Sequence, residues 1–258
     1  MCLKRQVLQK FLLSMVVNLC FVLMVSNPSA AQISSSFSVA KKKLYQQIYD
    51  NKGKTFYVNC RWSRKKIDLT SCHLENSFKK NQRKRSLRTE VEHVIPASWF
   101  FKVNGQFRKC YLKSKQSRLS ARRYCQKTDS EYRNAHNDLV NLRPAVGAIN
   151  AYRSNKPFSD KVSGGHKITF RGDGMLAVIT TRLIIPDVSI RGDIARIAFY
   201  MSKQYGLTYS HRQQLIFNQW HLTDPVSTEE QQINARINQV QGRANLYVDY
   251  PKTLSVTE

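Results

Sequence analysis

Four cysteines, Cys60, Cys72, Cys110 and Cys125, follow what reads as an export address, and that combination limits the fold more than any other feature of the chain. Lys4, Arg5 and Lys10 precede an apolar run from Phe11 to Val25 that ends in small residues at Ser29-Ala30-Ala31. This is the layout of a secretory signal over residues 1–31, with cleavage expected after Ala31. The apolar run is shorter than the roughly 20 residues that a membrane span needs, and Ser14 and Asn18 interrupt it. Cys2 and Cys20 leave with the signal. An even number of thiols in an oxidising compartment predicts two disulfides. Three pairings are open, and Cys60 with Cys72 and Cys110 with Cys125 close the shortest loops. A zinc site near Cys60, Cys72 and His73 is the rival, without the close Cys-x-x-Cys pairs that such sites use. Residues 32–258 are read as one domain, since no repeat or low-complexity linker divides them.

Charge narrows the partner. The formal net charge is +25, and residues 61–127 hold 19 Lys and Arg against four acids. A merely solubilising surface mixes both signs, so this concentration implies a polyanion, nucleic acid before anionic lipid. Runs such as Lys79-Lys80 and Arg83-Lys84-Arg85 would follow phosphates without reading bases.

The coarse pattern is mixed. Val39, Leu44 and Ile48 predict a short helix, and Thr55-Phe56-Tyr57-Val58 a strand, with Lys66 to Ser71 as its hairpin partner. Val91 to Pro96 reads as extended, and Lys102 to Lys127 as a basic, loop-rich excursion. A helix is expected to start near Arg143, with Pro144 in its first turn and Asn141 just before it. Residues 166–185 are β-rich. Ile194, Ile197, Ala198 and Met201 form a helical face ending at Gly206. Ser210 with Gln213 and Ser227 with Glu230 match capping boxes of two further helices, the second stopping at Gly242. The segregation of strands and helices points to α+β.

Three residues could supply hydrolytic chemistry. Glu92 and His93 are adjacent in RTEVEHVIPASWF, and Asn141 lies in DLVNLRPAVGAINAYRSN. A hard cation such as Mg²⁺ takes oxygen ligands and keeps several waters, so a carboxylate and an amide suffice. A neutral imidazole accepts a proton from water near neutral pH. Other readings stand beside these: Asn141 can cap the following helix; His136 and His166 read as surface residues; Trp62, Trp99 and Trp220 read as core, although an exposed Trp62 could stack on a base.

VEHVIPASWF, DLVNLRPAVGAINAYRSN, RGDIARIAFYMSKQYGL and FNQW, in this order, resemble the endonuclease I family of periplasmic and secreted bacterial nucleases. The resemblance runs from about Phe37 to Val248. It implies a mixed fold with an embedded ββα-metal (His-Me finger) motif and Mg²⁺-dependent cleavage of DNA and RNA without sequence preference, leaving 5′-phosphate ends. Mn²⁺ or Ca²⁺ are alternative ions. By position, His93 resembles the general base, Glu92 and Asn141 the metal ligands, and Arg122 the arginine on the cleaved phosphate. Arg153, Lys113 and Arg123 are further candidate contacts to nucleic acid. The expected protein is a monomer in the periplasm or outside the cell, with no membrane anchor after signal cleavage.

The chain also departs from the family's pattern. Ala148, Ala151 and Tyr152 surround Asn150 where the family has an acidic residue and then Asn-Gly-Asp, and Val140 replaces a histidine. The segment between Cys110 and Cys125 is longer and very basic. The rival reading from another class is a cationic DNA-binding scaffold whose nuclease site has decayed.

Overall fold

The computed structural model describes residues 32–103, 105–162 and 165–252, without side chains for 102–106; the expected signal, 1–31, lies outside the described residues. Helix α1, Phe37–Lys43, opens on Ser36, whose Oγ accepts the Val39 N–H, and continues as a wider π turn over Leu44–Ile48. Ala40, Leu44 and Ile48, four residues apart, are fully buried, as one face of a helix requires.

Strands β1 (Lys52–Lys54), β2 (Arg61–Ser63) and β3 (Lys66–Ile67) then form a small antiparallel meander. The strand expected at Thr55–Val58 is a turn instead. Thr55 Oγ1 accepts the Cys60 N–H, Asn59 adopts a left-handed φ of 53°, and Tyr57 and Val58 are buried anchors rather than members of a ladder. The Lys66–Ser71 partner is shorter than expected and gives way to a 3₁₀ turn that carries Cys72 to Cys60 in the first disulfide. Trp62 is buried against Tyr45 and Tyr49, which removes it as a base-stacking platform.

Helix α2 (Lys80–Ser86) leads into β4 (Thr89–His93). The basic excursion that follows is helical rather than loop-rich: α3 (Phe100–Val103), α4 (Gly105–Ser114), α5 (Ala121–Thr128) and α6 (Ser130–Asn137). Lysine and arginine are good helix formers, so a high density of cations is no bar to helix. The Cys110–Cys125 disulfide ties α4 to α5.

Strand β5 (Leu142–Val146) occupies the place where a helix was expected. It pairs antiparallel with all five residues of β4, with Glu92 opposite Arg143 and Val91 opposite Pro144. Bonds from Val94 N–H to Asn141 O and from Gly147 N–H to Arg88 O bracket this ladder. By the alternation of antiparallel pairs, Val91 and Pro144 then form a non-hydrogen-bonded pair, and the missing proline N–H costs no ladder bond. The helix begins three residues later than a Pro144 start would give, as α7 (Gly147–Arg153). A Cβ on Gly147 would meet the Arg85 carbonyl at 2.6 Å, so only glycine lets α7 enter this close to the end of α2.

The rest follows the sequence pattern closely. Strands β6 (Lys167–Arg171), β7 (Leu176–Thr180) and β8 (Ile184–Ile185) form a second antiparallel sheet of three. Helices α8 (Arg191–Tyr205), α9 (His211–Thr223), α10 (Thr228–Gln241) and α11 (Leu246–Asp249) close the chain. Gly206 and Gly242 stop α8 and α10 in the left-handed conformation. Each capping box is half used: Ser210 and Ser227 accept the Gln213 and Glu230 N–H groups, while the Gln213 side chain binds Phe158 and the Glu230 carboxylate binds the buried Arg196. Mixed helix and small sheets make this an α+β protein.

Candidate functional site

The end of strand β4, the turn after it and helix α7, with side chains from α2 and α5, enclose a cleft of about 510 Å³ lined by Arg85, Glu92, His93, Arg122 and Asn150 among others. Neighbours in a strand point to opposite faces, yet His93 is the last residue of β4, where the chain leaves the ladder, and both Glu92 and His93 reach the cleft.

His93 is buried, and its Nε2 lies 2.8 Å from the carbonyl oxygen of His136. A carbonyl can only accept, so the ring proton sits on Nε2 and the lone pair on Nδ1. Burial, reinforced by the neighbouring His136 and Arg122, holds its pKa well below 6.5 and keeps the ring neutral.

Glu92 is also buried, and its Oε1 accepts the Tyr57 hydroxyl at 2.7 Å. Arg153 Nε approaches the same oxygen at 3.0 Å as an ion pair, without the alignment of a hydrogen bond. Burial raises the Glu92 pKa to about 7, against the opposing pull of Arg153 and Tyr57. Tyr57 and Arg153 both engage Oε1, leaving Oε2 without a protein partner among the described residues.

Two of the expected assignments do not fit. Asn141 is fully buried and faces away from the cleft: its Oδ1 accepts the Ile95 N–H at 2.7 Å and its Nδ2 donates to the Ile95 carbonyl at 2.9 Å. It clamps the chain just after His93, does not cap α7 and does not line the cleft. Arg153 is equally inaccessible to nucleic acid, fully buried with Nη2 on Val94 O, Nη1 on Ser154 O, and its guanidinium over Phe158. Its work is to brace Glu92. Lys113 and Arg123 are exposed on α4 and α5 but do not line the cleft.

Asn150, and not Asn141, faces the cleft. It lines the cleft from the middle of α7, and its Nδ2 lies 3.5 Å from Glu90 Oε2, which leaves the amide oxygen without a protein partner among the described residues. Glu90 in turn grips Arg85, a second cation of the cleft, at 2.8 Å from Oε1 to Nε. The available signal was the survival of Asn150 in a segment that lost the acidic residues on either side of it. Arg122 lines the cleft from α5, with Nε–H donating to His136 Nε2 at 2.7 Å. His136 itself is fully buried rather than a surface residue, and its pKa is lowered to about 3, chiefly by burial. His166 is exposed, as expected.

No group of three or more His, Cys, Asp or Glu side chains gathers around a common point among the described residues. The cleft instead offers the Glu92 carboxylate oxygen and the Asn150 amide oxygen, beside the neutral side chains of Ser98, Ser154 and Asn155. That donor set suits a hard divalent ion that keeps most of its water, and not a closed zinc site.

The family model for Endonuclease I matches residues 36–252. The chain is 35% identical over 231 residues to an extracellular deoxyribonuclease of Aeromonas hydrophila, covering 88% of this chain and 93% of that protein. It is 32% identical over 238 residues to a periplasmic deoxyribonuclease of the same organism, covering 90% and 93%. It is 33% identical over 207 residues to Endonuclease-1 of Buchnera aphidicola subsp. Acyrthosiphon pisum, covering 78% and 76%.

Proposed function

Because the chain belongs to the endonuclease I family, we propose that it is a metal-dependent endonuclease hydrolysing phosphodiester bonds in DNA and RNA without sequence preference. Two disulfides place it outside the reducing cytosol, in the periplasm or secreted. No helix of the described residues is long and apolar enough to cross a membrane. In this reading β4, β5 and α7 are the two strands and helix of a ββα-metal core.

The observation that carries the reading is the convergence of a lone-pair nitrogen, two uncommitted oxygens and two arginines on one cleft. His93 Nδ1 accepts the proton of the attacking water, and the His136 carbonyl, bonded to Nε2–H, stabilises the imidazolium that forms. Glu92 and Asn150, rather than Glu92 and Asn141, are the residues that hold Mg²⁺, with Mn²⁺ or Ca²⁺ as substitutes. When bound, the ion stabilises negative charge on the departing 3′ oxygen, and the products are 5′-phosphate and 3′-hydroxyl ends. Arg122 grips the phosphate through its terminal nitrogens. Arg85, fixed by Glu90, extends the positive wall, and Lys113 and Arg123 add contacts to the polyanion farther out.

Plasmid nicking by the mature, oxidised protein with Mg²⁺, beside an EDTA control, tests this. Degradation abolished by EDTA is expected. Retarded but uncut plasmid would overturn it in favour of the scaffold, a reading that draws on Ala148, buried in the core, and Tyr152, packed on Phe170 where the family carries acids.

A further inference from the structure

His136 makes hydrogen bonds to both groups that the mechanism requires to move a proton and to grip a phosphate. Its main-chain carbonyl holds His93 Nε2, and its ring Nε2 accepts from Arg122 Nε. We propose that His136 is a positioning residue, a neutral imidazole that fixes the direction of Arg122 without cancelling its charge and thereby sets its place relative to His93.

The tautomer follows from the contacts. An arginine Nε–H only donates, so the facing nitrogen, Nε2, carries no proton. The proton is then on Nδ1, which lies 3.0 Å from Asn137 Oδ1 and donates to it. Asn137 Nδ2 is anchored in turn on the Ser34 carbonyl at 2.8 Å. Phe37 meets the His136 ring edge-on at 4.8 Å and lies 5.6 Å below the Arg122 guanidinium, while the Gln126 amide nitrogen sits 2.8 Å from Nε2. The ring is therefore held on its edges and on one face, and it in turn holds Arg122 along a single direction.

The neutrality of the acceptor is the telling part. Some arginine struts of this fold rest on main-chain carbonyls, Arg143 and Arg236 among them, but three others pair with a carboxylate: Arg153 with Glu92, Arg196 with Glu230, Arg243 with Asp138. Such pairs spend the positive charge inside the protein. At Arg122 the acceptor is an uncharged ring nitrogen, and Nη1 and Nη2 have no protein partner among the described residues. The full charge and a two-pronged donor remain for a phosphate, with the rotational freedom of a long side chain already removed.

The proposal rests on the nuclease reading, and its test separates the two. Steady-state cleavage of a short DNA duplex with Mg²⁺ would be measured for H136L and H136Q, each alone and combined with R122A. H136L should lower kcat by about 10- to 100-fold through misplacement of Arg122. H136Q, whose amide oxygen can still accept, should recover most of that loss. In the R122A background H136L should cost nothing further, because the contact it breaks is already gone. An equal cost in both backgrounds, or an H136Q variant as poor as H136L, would overturn the role. Should H136L fail to fold, long-range ¹H–¹⁵N spectra of the wild type decide: Nδ1 protonated, and a bare Nε2 whose shift moves in R122A, are expected. A charged ring, or one protonated on Nε2, in an enzyme that cuts DNA would remove this role alone. A wild type that does not cut would remove the nuclease reading and the role with it.

Discussion

The imidazole of His93 and the main-chain carbonyl of His136 meet at 2.8 Å, joining the end of a strand to the last turn of a helix 43 residues farther along the chain. That bond selects which nitrogen of His93 is free to act as a base. His93→Ala should therefore lower cleavage by at least about 100-fold. Duplex affinity, read by fluorescence anisotropy in EDTA, should stay within a fewfold of wild type, because the cations that bind phosphate are untouched. Undiminished turnover by this variant would sink the assignment of the base.

The two asparagines should separate cleanly. Asn150→Ala should lose Mg²⁺-supported activity while keeping its melting temperature, since its side chain faces the cleft and makes only a 3.5 Å contact. Asn141→Ala leaves the Ile95 N–H and carbonyl unpaired in the interior and should cost about 1–3 kcal/mol of stability. Thermal melts and a Mg²⁺ titration of activity on both variants check this; the reverse pattern would restore Asn141 as the ligand.

Acid should destabilise the fold through His136. Its pKa falls from 6.5 in the unfolded chain to about 3 in the folded protein, so the unfolded state takes up a proton that the folded state refuses. This contribution is present in full above pH 6.5 and is lost as the pH drops towards 3, at up to about 1.4 kcal/mol per pH unit. Melting temperatures between pH 8 and 4 should decline more steeply for wild type than for H136Q. Parallel curves would contradict the buried, neutral ring.

Reduction should act on activity as well as on stability. The Cys110–Cys125 bond clamps α4 to the helix that carries Arg122. Replacing both cysteines by serine should cost about 2–5 kcal/mol and lower turnover. Removal of Cys60–Cys72, in the small meander, should cost comparable stability with less effect on turnover at temperatures where the protein stays folded. Assays below both melting temperatures would distinguish the two bonds.

Much of this architecture is legible in the chain itself. Helices with a glycine stop or a serine cap, such as α8 and α10, and the apolar stripe of Ala40, Leu44 and Ile48 stand out because local chemistry alone determines them. Strand β5 does not. Pro144 and the spacing of Val146, Ile149 and Arg153 satisfy a helix equally well, and only pairing with the distant Thr89–His93 segment decides for a strand. The site divides the same way. The gathering of Glu92, His93 and Arg122 at one cleft is carried by motif, whereas the preference for Asn150 over Asn141 in the proposed site depends on which amide the folded backbone consumes. The burial of Arg153 and His136 is likewise invisible to a reading in which cations and imidazoles belong to the surface.

Four helices, α3 to α6, are inserted between the paired strands β4 and β5. Five residues on each side of that insertion are already locked in register, so the distance between the base at the end of one strand and the helix after the other does not depend on how long the inserted chain is. Lengthening an already long closed loop is cheap, about 0.6 kcal/mol for each doubling. The extra basic residues between Cys110 and Cys125 can thus accumulate, and their reach over a substrate can be tuned, while the spacing of the reacting groups stays the same. Hydrolysis and grip can evolve at different rates within one fold.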